Sequence, residues 1–223
     1  MDVVKVILVP AGAESRAVKR ALKKVPEPPQ VIEIPAGPQA VKRFLQTWDK
    51  SEVLQSGGIL LMGLGGNLTP DYEVGDGVLV ERIFEAGSSQ AYACDRALIT
   101  QLSKQLGIPV GVGVTCDRVI TTAVAKRKLH DRYGADVVDM EAAALLKELP
   151  DCKIAILRVI SDDCHHDLPD ISSAIGSDGS IRLVPIILSF LKRPFAALRL
   201  IRGSLEGLKM LKELTSKILQ KNS

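Results

Sequence analysis

Apolar positions along this chain follow two periods in turn, and that alternation predicts the architecture. Largely apolar runs with the composition of strands fall at 3–9, 31–34, 58–63, 110–114, 137–138 and 153–157, those at 58–63 and after Lys153 unbroken as in strands buried on both faces, and a turn at 74–77 leads into another at 78–80. Between them lie stretches with the composition and spacing of helices: 15–24, where Ala17, Ala21 and Leu22 share a face, then 38–48, 94–106, 122–133 and 141–149. A small-residue turn at 10–14 joins the first strand to the first helix. Pro26, Pro28 and Pro29 stop that helix, and Pro150 stops the last of the series. Strand and helix alternate through residue 162, which predicts an α/β fold with a mixed, largely parallel central sheet flanked by helices.

Beyond Pro169 the pattern changes. Residues 170–180 are small and polar and predict a mobile loop. Then Leu191, Phe195, Leu198, Ile201, Leu205 and Leu208 recur at spacings of three and four, an amphipathic helix with Lys and Arg on its other face, weakened by Gly203 and Gly207. Its apolar stripe has two readings: a face packed on the domain or on a partner subunit, or a face that lies on a membrane surface. The expected organisation is one α/β domain over 1–190 and a basic amphipathic extension over 191–223.

Composition adds little to the fold but bounds the setting. A hydrophobic fraction of 46% with 25% charged residues is that of an ordinary globular chain, and the aromatic content of 4% implies a core of Val, Ile, Leu and Ala. Cys94, Cys116, Cys152 and Cys164 form no C-x-x-C pair and no zinc-type spacing, which fits reduced thiols in a cytoplasmic protein. The first strand lacks the long apolar region and cleavage site of a signal peptide, so a cytoplasmic location is expected, with the tail peripheral at the inner membrane surface. Net charge is +3, yet residues 191–223 hold eight Lys or Arg against two Glu, so the rest of the chain is slightly acidic. Basic charge confined to one helix face with little aromatic interleaving argues against nucleic acid as a partner.

Candidate chemistry clusters where strands end. Ligands in α/β sheets bind outside the carboxyl ends of strands. Asp162 stands just beyond the apolar run at 153–157, and Glu141 opens a helix directly after the run ending at Asp139. A Glu in a first helical turn is also favourable with the helix dipole whatever the protein does. The stretch Gly63-Leu64-Gly65-Gly66-Asn67-Leu68 follows a strand but fails the dinucleotide fingerprint, since Leu68 stands where the last Gly would be. It is a turn, whether a plain one or one whose N–H groups approach an anion or a sugar hydroxyl. Asp162, Asp163, Cys164, His165, His166 and Asp167 are metal-ligand types, but neighbouring side chains in an extended loop diverge, so no metal site is expected.

Four motifs, in order, resemble the nucleoside phosphorylase and nucleosidase superfamily. Ala13-Glu14 after the first strand resembles the position of the nucleosidases' catalytic Glu. The run from Gly63 to Asp76 resembles the family's glycine loop and following Gly-Asp. Val138-Asp139-Met140-Glu141-Ala142 resembles its Met-Glu ribose-binding signature, and Arg158-Val159-Ile160-Ser161-Asp162 its R-x-I-S-D signature. The resemblance covers about residues 3 to 170 and implies cleavage of the N-glycosidic bond of a purine nucleoside, adenine being the expected base. It implies catalytic roles for Asp162, as donor to N7, and for Glu14, as the group that orients or deprotonates water. Met140 and Glu141 would hold the ribose, Val119, Ile120 and Ser161 the base, and Gly12, Gly65, Gly66 and Arg16 the phosphate or water. Arg16 and Arg118 each carry a guanidinium shaped for phosphate, the other reading of both being a solvated surface charge. No cofactor is implied beyond inorganic phosphate as the alternative co-substrate to water, and a homo-oligomer is expected. Leu64 departs from the family, which often has Ser there, and the short region between Glu14 and Gly63 suggests that a strand pair is absent. These departures leave a catalytically weak nucleoside-binding protein as the alternative. The tail resembles the C-terminal region of the hopanoid-associated phosphorylases, which act on adenosylhopane, and so implies a lipid-linked adenosine drawn from a membrane.

Overall fold

The computed structural model describes residues 4–23, 25–49, 57–169, 190 and 192–219. Over these the chain runs β1 (Val4–Pro10), α1 (Ala13–Leu22), β2 (Gln30–Ile34), α2 (Pro38–Thr47), β3 (Gly58–Asn67), β4 (Gly77–Glu85), β5 (Ala91–Ala93), α3 (Arg96–Leu106), β6 (Val110–Thr115), α4 (Ala123–Tyr133), β7 (Val137–Asp139), α5 (Ala142–Glu148), β8 (Ile154–Asp162) and α6 (Pro194–Ile218). The predicted loop at 170–180 and Leu191 of the predicted stripe lie outside the described residues.

The strands form one mixed sheet in the order β2-β1-β3-β7-β6-β4-β5, and β8 pairs with both β3 and β4. That second pairing closes a ring of β3, β8, β4, β6 and β7. Pairing is parallel between β1 and β2, β1 and β3, β3 and β8, β4 and β6, and β6 and β7, and antiparallel at β3–β7, β4–β5 and β4–β8. Closure requires β3 to pair with β8 from Ile59 to Gly66 while Gly58 to Leu61 also pair with β1 and the last two residues, Gly66 and Asn67, pair with β7. The glycines make this crossing passable: a Cβ on Gly65 would stand 2.6 Å from Val137 Cγ2. Gly63, Gly65 and Gly66 are therefore strand residues rather than a turn, with a bulge between Gly65 and Gly66 that shifts register against β8.

The strand β8 also runs further than its apolar portion. All nine residues from Ile154 to Asp162 are buried, Arg158 included. Asp162 thus lies in the strand, paired with Gly66, instead of just past its end. Strand β3 pairs with β8 from Ile154 to Asp162 and β4 adds a second partner from Ile156 to Val159, so the strand continues past its apolar portion on backbone pairing with β3.

The C-terminal helix α6 packs in the opposite sense to its apolar stripe. Its inner face is Ala196, Ala197, Gly203, Gly207, Leu211, Leu214 and Thr215, with Leu211 and Leu214 in the main core. Phe195, Leu198 and Leu205 are 80%, 64% and 63% exposed. Close approach decides this. A Cβ on Gly203 would stand 2.1 Å from the Ser161 carbonyl oxygen, and one on Gly207 2.8 Å from Leu64 Cδ2, so only glycine lets the helix reach β8. Gly203 and Gly207 are the contact, not a weakness in it.

Candidate active site

Parallel pairing brings the sequence-distant carboxylates to neighbouring strand ends. Register places Gly63 beside Arg158, Gly66 beside Asp162, and Thr115 beside Asp139. At the centre is the fully buried Arg158. Its Nε donates to Asp139 Oδ2 at 3.0 Å, and its Nη2 donates both to Asp139 Oδ2 and, at 3.2 Å, to Glu141 Oε2. Asp139 is held in turn: Thr115 Oγ1 donates to its Oδ1 at 2.5 Å, and Ala142 N at the start of α5 approaches both oxygens. Asp139 is therefore a brace for Arg158 and for the turn carrying Glu141.

Glu141 is the N-cap residue of α5, buried, with Oε1 accepting from Gly37 N at 3.2 Å. Gly37 precedes α2 at φ +92°, a conformation that points its N–H at this carboxylate and that favours glycine. Burial pushes the Glu141 carboxyl above its ordinary range, with Arg158 opposing and Asp139 reinforcing. Met140 is half-buried, and a Cβ at Gly37 would lie 3.8 Å from its Cε. The pair thus presents an apolar thioether next to a carboxylate.

Glu14, in the first turn of α1, reaches across to β3. Leu64 N donates to its Oε1 at 2.7 Å. Burial pushes its carboxyl up to about 7, with the Leu64 N–H opposing, Glu141 reinforcing and Arg158 opposing. Gly63 leaves a small space between elements: a Cβ there would stand 2.5 Å from Arg158 Nη1 and 2.8 Å from Glu14 Oε1. Nη1 is buried and has no protein partner. A carboxylate that titrates near neutrality and an unpaired guanidinium N–H thus flank one spot, the requirements for holding and deprotonating a water. Gly12, at φ +111°, starts α1 beside Glu14.

Asp162 faces Gly66, where a Cβ would lie 3.4 and 3.5 Å from its two oxygens. Ser161 Oγ donates to Asp162 Oδ1 at 3.0 Å and lies 3.3 Å from the Gly65 carbonyl. Burial raises the Asp162 carboxyl, opposed by an ion pair with Lys126. Lys126, on α4, is fully buried and also donates to the Asp163 carbonyl.

Val119 and Ile120 are half-buried between β6 and α4. This stretch is tied to the segment after Asp162, since Leu168 N donates to Thr121 O at 2.7 Å and Ala123 N to Asp167 Oδ1 at 3.0 Å. Arg16 and Arg118 are exposed, and Arg16 lies within electrostatic reach of Glu33 of β2. The geometry thus joins Glu14, Arg158, Glu141 and Gly63 at one end of the β3–β8 pair and sets Ser161 and Asp162 beside Gly65 and Gly66 further along it. His166 Nδ1 pairs with Asp163 Oδ1 at 2.9 Å, and no group of three or more His, Cys, Asp or Glu among the described residues is placed to hold a metal ion. Burial pushes the Cys94 and Cys116 thiols up to about 12, so neither is a ready nucleophile.

Lys126 escapes a sequence reading because it sits in a polar helix rich in Lys and Arg. The available signal is positional: 126, 129, 130 and 133 form the inward i, i+3, i+4, i+7 stripe of α4.

The family model for the phosphorylase superfamily matches residues 37–174. No curated protein sequence matches the chain. Among solved structures, the chain is similar to futalosine hydrolase of Helicobacter pylori strain 26695, with 13% identity, 97% of each chain covered and a TM-score of 0.67. It is similar also to the Helicobacter pylori 5'-methylthioadenosine/S-adenosyl homocysteine nucleosidase, at 15% identity over 96% of this chain and 98% of that one, with a TM-score of 0.64. A putative methylthioadenosine nucleosidase from Weissella paramesenteroides follows at 15% identity, 95% and 98% coverage and a TM-score of 0.62.

Proposed function

The chain belongs to the phosphorylase superfamily, and from that premise we propose that it breaks the N-glycosidic bond of a purine nucleoside, adenine being the expected base, with water as the attacking group. Glu14 carries the choice of water. Its carboxyl titrates near pH 7 beside the unpaired Arg158 Nη1, so it can take a proton from water held by that guanidinium. Phosphate is less well served there: Arg158 is already matched by Asp139 and Glu141, and Glu14 adds negative charge when ionised. Glu141 keeps acceptor capacity for the 2′ and 3′ hydroxyls, and its charge steadies the oxocarbenium that develops at C1′. Met140 covers the ribose face, Val119 and Ile120 flank the base, and Asp162 passes a proton to N7 so that the base leaves neutral. Assembly into a homo-oligomer is part of the same reading.

Base release from adenosine and methylthioadenosine, with and without phosphate, tests this. We expect release without phosphate and a fall of about 10²- to 10⁴-fold in Asp162→Asn. Release only with phosphate would move the reading to phosphorolysis, and ligand binding with no release to a catalytically weak nucleoside-binding protein.

A lipid-linked adenosine is the finer form of the reading, supported by the outer face of α6. Phe195, Leu198, Ile201 and Leu205 are exposed there, interleaved with exposed Arg199 and Arg202, the composition of an interfacial helix. The same half of α6 adjoins the segment after Asp162 through Arg193 and Asp167, 3.7 Å apart. Sedimentation with vesicles containing anionic lipid is expected for the full chain and lost in the pair Leu198→Ser and Leu205→Ser. Unchanged sedimentation, or none by the full chain, would remove the membrane from the reading.

A further inference from the structure

Lys126 stands where an amphipathic helix ordinarily places Leu or Ile. It is the one fully buried residue of α4, on the inward stripe with Leu129, His130 and Tyr133. An ammonium withdrawn from water is costly unless paired. Nζ meets two acceptors, Asp162 Oδ2 and the Asp163 carbonyl oxygen. Because Lys126 is closed to solvent, it reaches nothing in the site directly, and whatever it does to a bound molecule passes through Asp162.

This pairing creates a conflict. A carboxylate bonded to an ammonium is ionised and has no proton to give, whereas a departing purine needs one at N7. Resting on the glycosidic reading above, we propose that Lys126 is a positioning residue that stores the proton Asp162 delivers to the leaving base. The proton moves along the existing contact from Nζ to Oδ2, which turns the ion pair into an amine and a carboxylic acid without changing partners. The acid then gives the proton to N7 as the C1′–N9 bond breaks and its electron pair stays on the base. Asp162 is again a carboxylate and Lys126 is a neutral amine. Water adds its oxygen to C1′ and leaves one proton on Glu14. Over the cycle Glu14 loses that proton to solvent and Lys126 regains one.

The surroundings favour such a shift. Burial raises the affinity of Asp162 for a proton, while Lys126 and the Ser161 hydroxyl oppose it. The loop after β8 contributes Asp163, held ionised by the His165 and His166 N–H groups and the His166 ring, and Cys164. Arg127 of α4 lies near Cys164. From β3 the residue facing Asp162 is Gly66, and from α6 the residue against Ser161 is Gly203, so neither element adds a charge.

The test compares Lys126→Arg and Lys126→Met with wild type, reading kcat and KM across pH. One substrate is the purine nucleoside that wild type cleaves. The other is 4-nitrophenyl β-D-riboside, whose leaving group departs as a stable anion. Arg keeps the ion pair but does not release its proton. Lys126→Arg should therefore lose about 100-fold or more in kcat on the purine substrate, with little change in KM and a nearly unchanged rate on the nitrophenyl riboside. Lys126→Met leaves Asp162 as a lone buried acid and should keep the acid limb that Glu14 sets, with the alkaline limb of kcat moved down by about one pH unit or more and the active window narrowed from that side. Wild-type kcat in Lys126→Arg overturns the proposal, as does an equal loss on both substrates with an unmoved limb. If Lys126→Met fails to fold, the Arg variant still decides. Wild type that cleaves neither substrate removes the glycosidic reading and this proposal with it, whereas an active wild type matched by Lys126→Arg removes the proposal alone.

Discussion

Glu14 shows how one residue carries both a function and a cost. Its carboxyl is raised from 4.5 to about 7 because burial disfavours the charge more than Leu64 N–H and Arg158 restore it. The folded chain therefore binds this proton more tightly than the unfolded chain. The associated stability is fully present below about pH 4.5 and is lost as pH rises through about 7. Glu14→Gln should melt with wild type near pH 4 and above it at pH 8, by about 1–3 kcal/mol. A gain of the same size at both pH values would show that the effect is packing rather than charge. Activity runs the other way: base release by wild type should climb as pH passes about 7, because water needs the ionised form.

At the scale of elements, α6 shows that an amphipathic stripe does not identify its own buried side. Helix propensity alone would make Gly203→Ala favourable by about 1 kcal/mol. Contact reverses the sign, since the new Cβ would lie 2.1 Å from a backbone oxygen of β8 that has no room to move. We expect a net loss of about 1–3 kcal/mol, measured by urea denaturation. Gly207→Ala should cost less, because the atom it meets is the end of the Leu64 side chain. Equal or greater stability in Gly203→Ala would mean that the helix sits further from β8. The same contact makes Ser161 and Asp162 sensitive to the position of α6, an effect carried by packing.

For the whole molecule, ring closure of the sheet is what assembles the site. Glu14 comes from the start of α1, Glu141 from the link between β7 and α5, and Arg158 and Asp162 from β8; β3 touches all of these strands or their neighbours. The C-terminal helix is part of the same body, since Leu211 and Leu214 belong to the main core and Gly77 would meet Leu214 at 2.8 Å if it carried a Cβ. Removing residues 191–223 should therefore abolish cooperative thermal unfolding rather than merely detach a tail, each lost Leu costing about 2–5 kcal/mol. A truncated chain that still melts in one sharp transition would show that 1–190 is self-sufficient.

Local chemistry decided much of this protein in advance. Apolar runs at 31–34 and 110–114 and the helical spacing at 38–48 and 122–133 each match an element within a residue or two, because strand and helix periods depend only on neighbours in the chain. Glu141 and Asp162 are visible as polar residues that follow such runs, Glu14 only through the family resemblance, and the central places of Asp139 and Arg158 emerge only from the contacts of the folded chain. Tertiary structure alone decided the rest. Gly63 to Gly66 look like a turn until β7 and β8 crowd them into a strand. Lys126 looks like a solvated charge until α4 turns it toward Asp162, and the Leu stripe of α6 looks like a core face until Gly203 and Gly207 bring the other side onto β8. In each case the deciding force is a contact between segments far apart in the chain, where the distance of approach or a buried charge outweighs local preference.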